Sequence, residues 1–278
     1  MKKGILYLCP TPLGNLKDIT LRVLETLQQV SLIAAEDTRR TRKLLSHYDI
    51  HTPLLSYHEH NKTAKTEQLI ARLSAGQTVA LVSDAGTPGI ADPGEELVQA
   101  AIAAQITVVA LPGPVAAITA LTASGLPAVP FVFYGFLPAH GAERKARLAQ
   151  VMSEEKTVIL YEAPHRLRKT LTELCRLDPR RQVVVGRELT KLHEEYLRDT
   201  LEAICKHFAA VEPRGEFTLL LAGAEPKASE PAQDPWQVAE QYLQEGLSTR
   251  EAARKAAQAT GYARNELYRY LIEKKKSE

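Results

Sequence analysis

Several features are scarce in this sequence, and each scarcity removes a class of answer. Cysteine occurs three times in 278 residues, at Cys9, Cys175 and Cys205. The number is odd and the positions are scattered, with no paired spacing. That fits a reducing compartment and argues against both a disulfide framework and a zinc site. No apolar run approaches the roughly 18 residues of a membrane helix. The opening MKKGILYLCP has two lysines but only a few apolar residues before Pro10, too few for a signal peptide. The expectation is a cytoplasmic protein with no membrane partner. Charge of one sign is also lacking: the net is +2, so a nucleic-acid partner would have to be met by a local basic face. The usual nucleotide fingerprints, GxGxxG and GxxxxGK[ST], are missing. No Ser-His-Asp arrangement can be assembled from the spacing of the residues.

What is present is globular: 45% hydrophobic and 24% charged residues, in a chain long enough for two domains or one large domain with an appendage. The first half alternates short apolar runs with segments of helical period. GILYLC (4–9), SLIAAED (31–37), PLLSYHEH (53–60), TVALVSD (78–84) and TVVALP (107–112) read as strands. Helices are expected at 18–30, capped by Asp18, from Thr38 to Tyr48, at 64–75, ended by Gly76, and at 94–104. Strands separated by helices of this length imply right-handed crossovers and a mostly parallel sheet. PGP (112–114) breaks the rhythm and marks a junction. VAAITALTASG then resumes a helix, and FVFYGF (131–136), TVILYEA (157–163), QVVVGREL (182–189), an edge strand near 194–198 and FTLLLAG (217–223) supply a second set with some antiparallel pairing. EPKASEPAQDP (225–235) reads as a linker. Beyond it, STRE has capping-box spacing at Ser248 and Glu251, a helix runs to about Ala259, Gly261 turns the chain, and 263–276 is a second helix. Residues 247–278 hold eight Lys/Arg against four Glu, a net of +4, which leaves −2 for everything before them out of the total of +2. The division expected is an α/β lobe at 1–113, a second at 114–224, the linker at 225–235 and a small helical tail at 236–278.

Ligands of open parallel sheets bind beyond the carboxyl ends of the strands. Four such ends carry unusual residues: CPTPLGN (9–15), AEDTR (35–39), SYHEHN (56–61) and SDAGTPG (83–89). The stretch LVSDAGTPGIADPG (81–94) packs three glycines, two prolines and two aspartates into fourteen residues. Glycine lets backbone approach a ligand and proline stiffens the loop into one shape, so polar peptide groups are held in fixed positions. A lone strand-end aspartate such as Asp84 is ordinarily a cap, but this setting suits a polar small molecule. HEH (58–60) would put two histidines on one strand face; with no third ligand at matching spacing, no metal is expected. The arginine runs TRRTRK (38–43), HRLRK (165–169) and GRE (186–188) read first as solvated helix faces, with Arg39 set apart by its place beside Glu36 and Asp37.

PTPLGNLKDIT, AAEDTRRTRKLL, LVSDAGTPGIADPG and LPGPVAAITAL together resemble the ribosomal RNA small subunit methyltransferase I family of the tetrapyrrole methylase superfamily. GFLP, YEAPHRL, RELTK and LYRYL extend the resemblance over nearly the whole chain. It implies an α/β, two-lobed tetrapyrrole-methylase-like fold with a cofactor cleft between the lobes, plus a small C-terminal helical domain. It further implies S-adenosyl-L-methionine as cofactor, and methyl transfer to the ribose 2′-hydroxyl of a cytidine in the decoding region of small-subunit (16S) rRNA, within the ribosomal subunit, by a homodimer. The superfamily's glycine-rich first loop and glycine–aspartate–proline fourth-strand end are replaced here by PTPLGN and SDAGTP. Pro12 and Asp84 therefore carry over better than the glycines. The contacts after the hinge fall on Val115 and Ala116, and the contact after the second-lobe strand on Glu162, where tetrapyrrole enzymes often have methionine. These departures favour an RNA-modifying branch. The full cofactor set so implied is Pro12, Ser83, Asp84, Ala85, Gly86, Ile90, Ala91, Val115, Ala116, Tyr161 and Glu162.

A ribose hydroxyl is a weak acid, so a base or a nearby cation should assist. The candidates are Glu36, Asp37, Arg39, Glu188 and Lys191, with the acidic pair and Arg39 expected near the reacting nucleotide. The tail resembles a small nucleic-acid-binding module, with Arg264, Arg269, Lys274, Lys275 and Lys276 for phosphates, Tyr268 or Tyr270 for stacking, and Leu267, Tyr268 and Leu271 contributing to its packing. Two rivals stay open: a tetrapyrrole methyltransferase, whose carboxylate-rich substrate would also favour arginines in the cleft, and a non-enzymatic ligand-sensing regulator of nucleic acid.

Overall fold

The computed structural model describes residues 3–225 and 234–277. The chain forms two compact units, Met1–Ala224 and Glu225–Glu278. Most of the expected linker lies outside the described residues.

The first sheet is built from β1 (Ile5–Leu8), β2 (Leu32–Ala35), β3 (Leu54–Ser56), β4 (Val79–Val82) and β5 (Thr107–Ala110). They run parallel in the order β3-β2-β4-β1-β5, with Leu6 opposite Val79 and Leu8 opposite Ala110. Crossovers are α1 (Leu21–Gln29), α2 (Thr38–His47), α3 (Lys62–Ser74) and α4 (Glu95–Ala103). Both faces are covered. Val79 and Leu81 point into one core with Leu6, Leu69 and Leu97, while Ala80 and Val82 point into the other with Val23, Leu27 and Leu45. A strand buried on both faces reads as a continuous apolar run rather than an alternation, which is what VALV is.

Three local expectations are corrected. Asp18 does not cap α1: it ends a single 3-10 turn at Leu16–Asp18, and Thr20 caps α1 by accepting from the Val23 amide. The strand expected at 53–60 stops at Ser56, because Asn61 folds back, its side-chain oxygen accepting from the His58 amide. His58 and His60 thus lie in a turn and not on a strand face. The helix that follows begins at Lys62, earlier than the apolar period suggests.

The second lobe carries α5 (Ala116–Ser124), β6 (Phe131–Phe136), α6 (Gly141–Ser153), β7 (Thr157–Glu162), α7 (Pro164–Leu177), β8 (Gln182–Arg187), β9 (Glu195–Thr200), α8 (Leu201–Ala210) and β10 (Phe217–Leu221). The strand order is β6-β7-β10-β8-β9, parallel only between β6 and β7. Helices α6, α7 and α8 cover one face over Val158, Leu160, Val185 and Leu219, and α5 covers the other over Ile159, Val184 and Leu220.

The described residues of the second unit form three helices, α9 (Pro235–Gln244), α10 (Thr249–Thr260) and α11 (Arg264–Ser277). The capping box forms in both directions between Ser248 and Glu251, and Gly261 closes α10 in the left-handed conformation. Its core is mostly alanine, Ala239 from α9 and Ala252, Ala253 and Ala256 from α10, against Val238, Leu267 and Leu271. Small residues let the three helices approach closely.

Candidate active site

In the first sheet β1 and β4 are neighbours, yet the chain leaves β1 toward one edge and β4 toward the other. Their carboxyl ends flank the switch point where such sheets bind ligands. The two loops are sewn together there. The Thr11 amide donates to the Gly86 carbonyl at 2.8 Å and the Gly86 amide to the Thr11 carbonyl at 2.9 Å. The Thr11 hydroxyl donates to the Ser83 carbonyl, and the Ser83 hydroxyl to the Gly86 carbonyl, each at 3.1 Å. Gly86 sits at φ +84°, and a Cβ there would meet Leu13 at 3.3 Å, so both conformation and space call for glycine. The Thr87 hydroxyl donates to the Pro114 carbonyl at 2.9 Å, tying the loop to the start of the second lobe.

These loops form one wall of a cleft of about 350 Å³ between the lobes. Of the residues implied for the cofactor, Asp84, Ala85, Gly86, Ile90, Ala91, Val115, Ala116, Tyr161 and Glu162 all line it. Pro12 and Ser83 do not. Both are buried behind the wall, and the Ser83 hydroxyl is occupied in shaping the loop.

Carboxylates dominate the polar lining. Asp84 accepts from the Asp37 amide at 3.0 Å and pairs with Arg40 Nη1 at 3.3 Å. Among the described residues neither Glu36 nor Asp92 makes an ion pair, although the charge of Arg40 partly offsets the shift at Glu36. Burial, then the charge of Asp84, raises the Glu36 pKa. Burial, then the charge of Glu36, raises that of Asp92 to about 6. Asp92 was not singled out from the sequence, although it is the second aspartate of the stretch 81–94. Nothing local marks it, since its importance lies in being folded against Glu36 and Asp84.

The second lobe contributes differently. Tyr161 stacks edge-on against Phe133 and Phe136, and its hydroxyl accepts from the Ala117 amide at 3.0 Å in the first turn of α5. The Glu162 side chain is 1% exposed. It accepts from the Ala163 amide at 3.0 Å and from the Thr170 hydroxyl, and pairs with Arg166 at 3.3 Å. Behind it Arg144, 3% exposed, bonds Thr170, the Pro138 carbonyl and Glu173. Glu162 is therefore saturated by its own lobe.

The candidates for base and cation separate. Glu36 and Arg40 line the cleft; Asp37 and Arg39 do not. Asp37 is the N-cap of α2, and hydrogen bonds from the Arg39 side chain and amide hold its carboxyl well below the usual range, which makes it a poor base. Arg39 points outward, 84% exposed; one residue along a helix is a turn of about 100°, which gives the cleft to Arg40 instead. Glu188 and Lys191 pair with each other at 2.8 Å, and Lys191 with Glu216 at 2.9 Å. Burial opposes both charges, but the hydrogen bonds outweigh it, lowering the pKa of Glu188 and raising that of Lys191. They brace the cleft mouth: a Cβ on Gly14 would fall 2.2 Å from Lys191, and the Asn15 amide donates to the Thr190 hydroxyl.

In the helical unit Arg264, Tyr268, Arg269 and Lys275 are exposed. Lys274 pairs with Glu240, which also accepts from the Tyr270 hydroxyl. Tyr270 packs on Trp236 at 4.8 Å. Tyr270 is thus a packing residue, and Tyr268, expected to share in the packing, faces outward.

Comparison with known proteins bears on this arrangement. Residues 5–205 match the family described as Tetrapyrrole (Corrin/Porphyrin) Methylases, and residues 233–275 match the RsmI C-terminal HTH domain. The chain is 49% identical to "Ribosomal RNA small subunit methyltransferase I" of Synechocystis sp., over 97% of this chain and 98% of the other. It is 44% identical to the protein of that name from Bacillus subtilis, over 95% and 93%. Among solved structures it resembles the methyltransferase CobJ, with TM-score 0.61 and 18% identity over 80% of this chain and 95% of that one. It also resembles uroporphyrin-III C-methyl transferase from Thermus thermophilus complexed with S-adenyl homocysteine, with TM-score 0.58 and 20% identity over 79% and 97%. At these identities the two structures speak to the fold.

Proposed function

This chain belongs to the tetrapyrrole (corrin/porphyrin) methylase family, and from that membership we propose that it is an S-adenosylmethionine-dependent methyltransferase of small-subunit ribosomal RNA. The finer reading is transfer to the ribose 2′-hydroxyl of a cytidine in the decoding region. The observation that carries the acceptor class is the 44–49% identity, over nearly the whole of both chains, to proteins named for small-subunit rRNA methylation. A small-molecule tetrapyrrole acceptor leaves the helical tail without a purpose.

The cleft fits the cofactor on its own chemistry. S-adenosylmethionine brings a sulfonium methyl that is already electrophilic, together with an ammonium group and an apolar-faced adenine. The lining offers carboxylates for the cationic groups in Asp84 and Asp92. Leu13, Ile90, Val115, Leu189 and Phe217 offer apolar surface for the base. Asp84, oriented by the Asp37 amide, accepts a charge-assisted hydrogen bond. The loop around Gly86, pinned by Thr11 and Ser83, allows a ligand to reach the backbone without a rearrangement, which is where preorganisation gains affinity.

For the acceptor, the chain must align a hydroxyl and receive its proton. Positioning alone can supply much of the rate. Glu36 suits the proton because it sits in the cleft with its pKa raised. Arg40 lies close enough to the carboxylates to help stabilise an emerging alkoxide. In the tail, Arg264, Arg269 and Lys275 on α11 supply exposed cations for phosphates. On this reading the protein works in the cytoplasm as a homodimer, an association favoured by the exposed apolar side chains of Val129 and Phe131 on and beside the edge strand β6.

The test uses small subunits from cells lacking this activity, incubated with the protein and isotopically labelled S-adenosylmethionine, then digested to nucleosides for mass spectrometry. Label on a cytidine ribose is expected. Label on a base, or none despite cofactor binding, would overturn the reading.

A further inference from the structure

We infer that the first two turns of α2 form the docking face for the phosphodiester backbone flanking the methylated nucleotide, with Arg42 and Lys43 as the phosphate contacts. The inference rests on the proposal that the acceptor is RNA, and adds a contact surface in the α/β unit, separate from the helical tail.

Four cations occupy five successive positions here, Arg39, Arg40, Arg42 and Lys43, and all four are exposed. The fifth, Thr41, is buried together with Leu44 and Leu45, and these three fix the face of the helix that meets the core. Lys43 is four residues from Arg39 and three from Arg40, and Arg42 is three from Arg39, so the cations form one contiguous outward patch. Such a patch is costly to the isolated molecule. Like charges at these spacings repel, and cations at a helix N-terminus oppose the macrodipole. Asp37 and Asp84 offset Arg39 and Arg40. Among the described residues no ion pair is made by Arg42 or Lys43, and no contact within the molecule accounts for their charge.

The location supplies the account. The Asp37 amide that opens α2 bonds Asp84, and Arg40 lines the cleft, so the patch begins at the cleft wall. At 1.5 Å of rise per residue, Arg42 and Lys43 lie roughly 8–9 Å along the axis from Asp37, near enough to serve phosphates adjacent to a nucleotide at the cleft. The cleft itself sorts charge. Its lining carries Glu36, Asp84 and Asp92 against Arg40 alone, while Glu162 and Glu216 are already paired with Arg166 and Lys191. Such a lining accepts a cationic cofactor and repels a polyanion, so phosphates must stay outside while the ribose reaches in. The cationic face bordering that mouth on the first lobe is α2.

The test measures binding of protein-free small-subunit rRNA, prepared from cells lacking the modification, to the full-length protein across a range of KCl concentrations. The Arg42→Gln, Lys43→Gln double variant should lose about 1.4 from the log–log salt slope, twice the single-strand value of about 0.7 per contact. Its S-adenosylmethionine affinity by calorimetry should match the wild type, which controls for folding. Arg42→Lys should keep the slope, because counterion release counts charges. A double variant with wild-type slope and affinity would refute the docking face. A defect that appears only with intact subunits would assign the patch to a ribosomal protein instead, and overturn the phosphate contact. If the wild type neither binds this RNA in a salt-dependent way nor methylates subunits, the functional reading itself fails, a result distinct from either.

Discussion

Each lobe brings a carboxylate to the cleft at the end of a central strand, and the two have opposite surroundings. Asp84, after β4, meets one amide and the solvent-facing Arg40, with Glu36 and Asp92 crowded nearby. Glu162, ending β7, is enclosed by Arg166, Thr170 and the Arg144–Glu173 pair. The first lobe leaves negative charge unneutralised where a ligand can reach it. The second has already neutralised its own. Unpaired buried charge is unfavourable unless a ligand completes it, so the first arrangement is suited to binding and the second to holding the lobe in shape.

The contrast can be broken at several points. The largest effect should come from Arg144→Met, which strands Glu173 and removes a donor from Thr170. Because Glu173 stays partly solvated, the loss should fall below the roughly 3–5 kcal/mol of a fully buried pair, at about 2–3 kcal/mol in urea unfolding of the α/β unit, and a loss below about 1 kcal/mol would show that the second-lobe network is not structural. Asp84→Asn should instead leave the unfolding curve nearly in place and weaken S-adenosylmethionine binding about 10–100-fold, the worth of one charge-assisted hydrogen bond. An Asp84→Asn protein that binds normally but melts early would reverse the roles of the two lobes.

Asp92 sharpens the comparison through pH. Its folded pKa is raised to about 6, above the ordinary carboxyl value of about 3.9, so the native state holds the proton more tightly than the unfolded chain does. The sign follows from linkage: as pH rises from about 4 through 6, ionisation of this group costs stability, and the cost is complete above that window. Asp92→Asn removes the charge and should stabilise the protein by about 1–2 kcal/mol at pH 7.5, after allowance for partial solvent screening. At pH 4 the gain should vanish. Equal gains at both values would mean that the charge is not what destabilises. The smallest effect belongs to the helical unit. Ser248→Ala removes the N-cap of α10 and should cost about 1 kcal/mol, seen as faster amide exchange in α10 with the α/β unit unchanged.

Much of the architecture was legible in the chain because it is written in local terms. Apolar runs bounded by turn residues located nine of the ten strands closely and overran β3, where Asn61 turns the chain by a side-chain bond that no hydrophobic pattern reports. The glycines and prolines of 81–94 marked the loop that walls the cleft. The neighbouring arginines were harder to tell apart: Arg39 stands next to the acidic pair in sequence, but helical rotation and its bond to Asp37 turn it outward and leave Arg40 in the lining. Glu188 and Lys191 look like an acid and a base on paper, yet they satisfy each other at 2.8 Å. Cysteines that look scattered are not all apart either, since the thiols of Cys175 on α7 and Cys205 on α8 lie within hydrogen-bonding reach, both free.

The sequence by itself determined the alternation of strands and helices, the loop at the end of β4 and the capped, basic helical tail, because periodicity, turn chemistry and capping act over a few residues. Tertiary structure alone decided which charges became neighbours. Glu36, Asp84 and Asp92 come from the ends of two strands and the loop beyond, and Glu162 meets its partners across α6 and α7. Electrostatic character depends on the burial and distance of groups remote in sequence, so which carboxylate is saturated and which is open is settled only when each lobe folds.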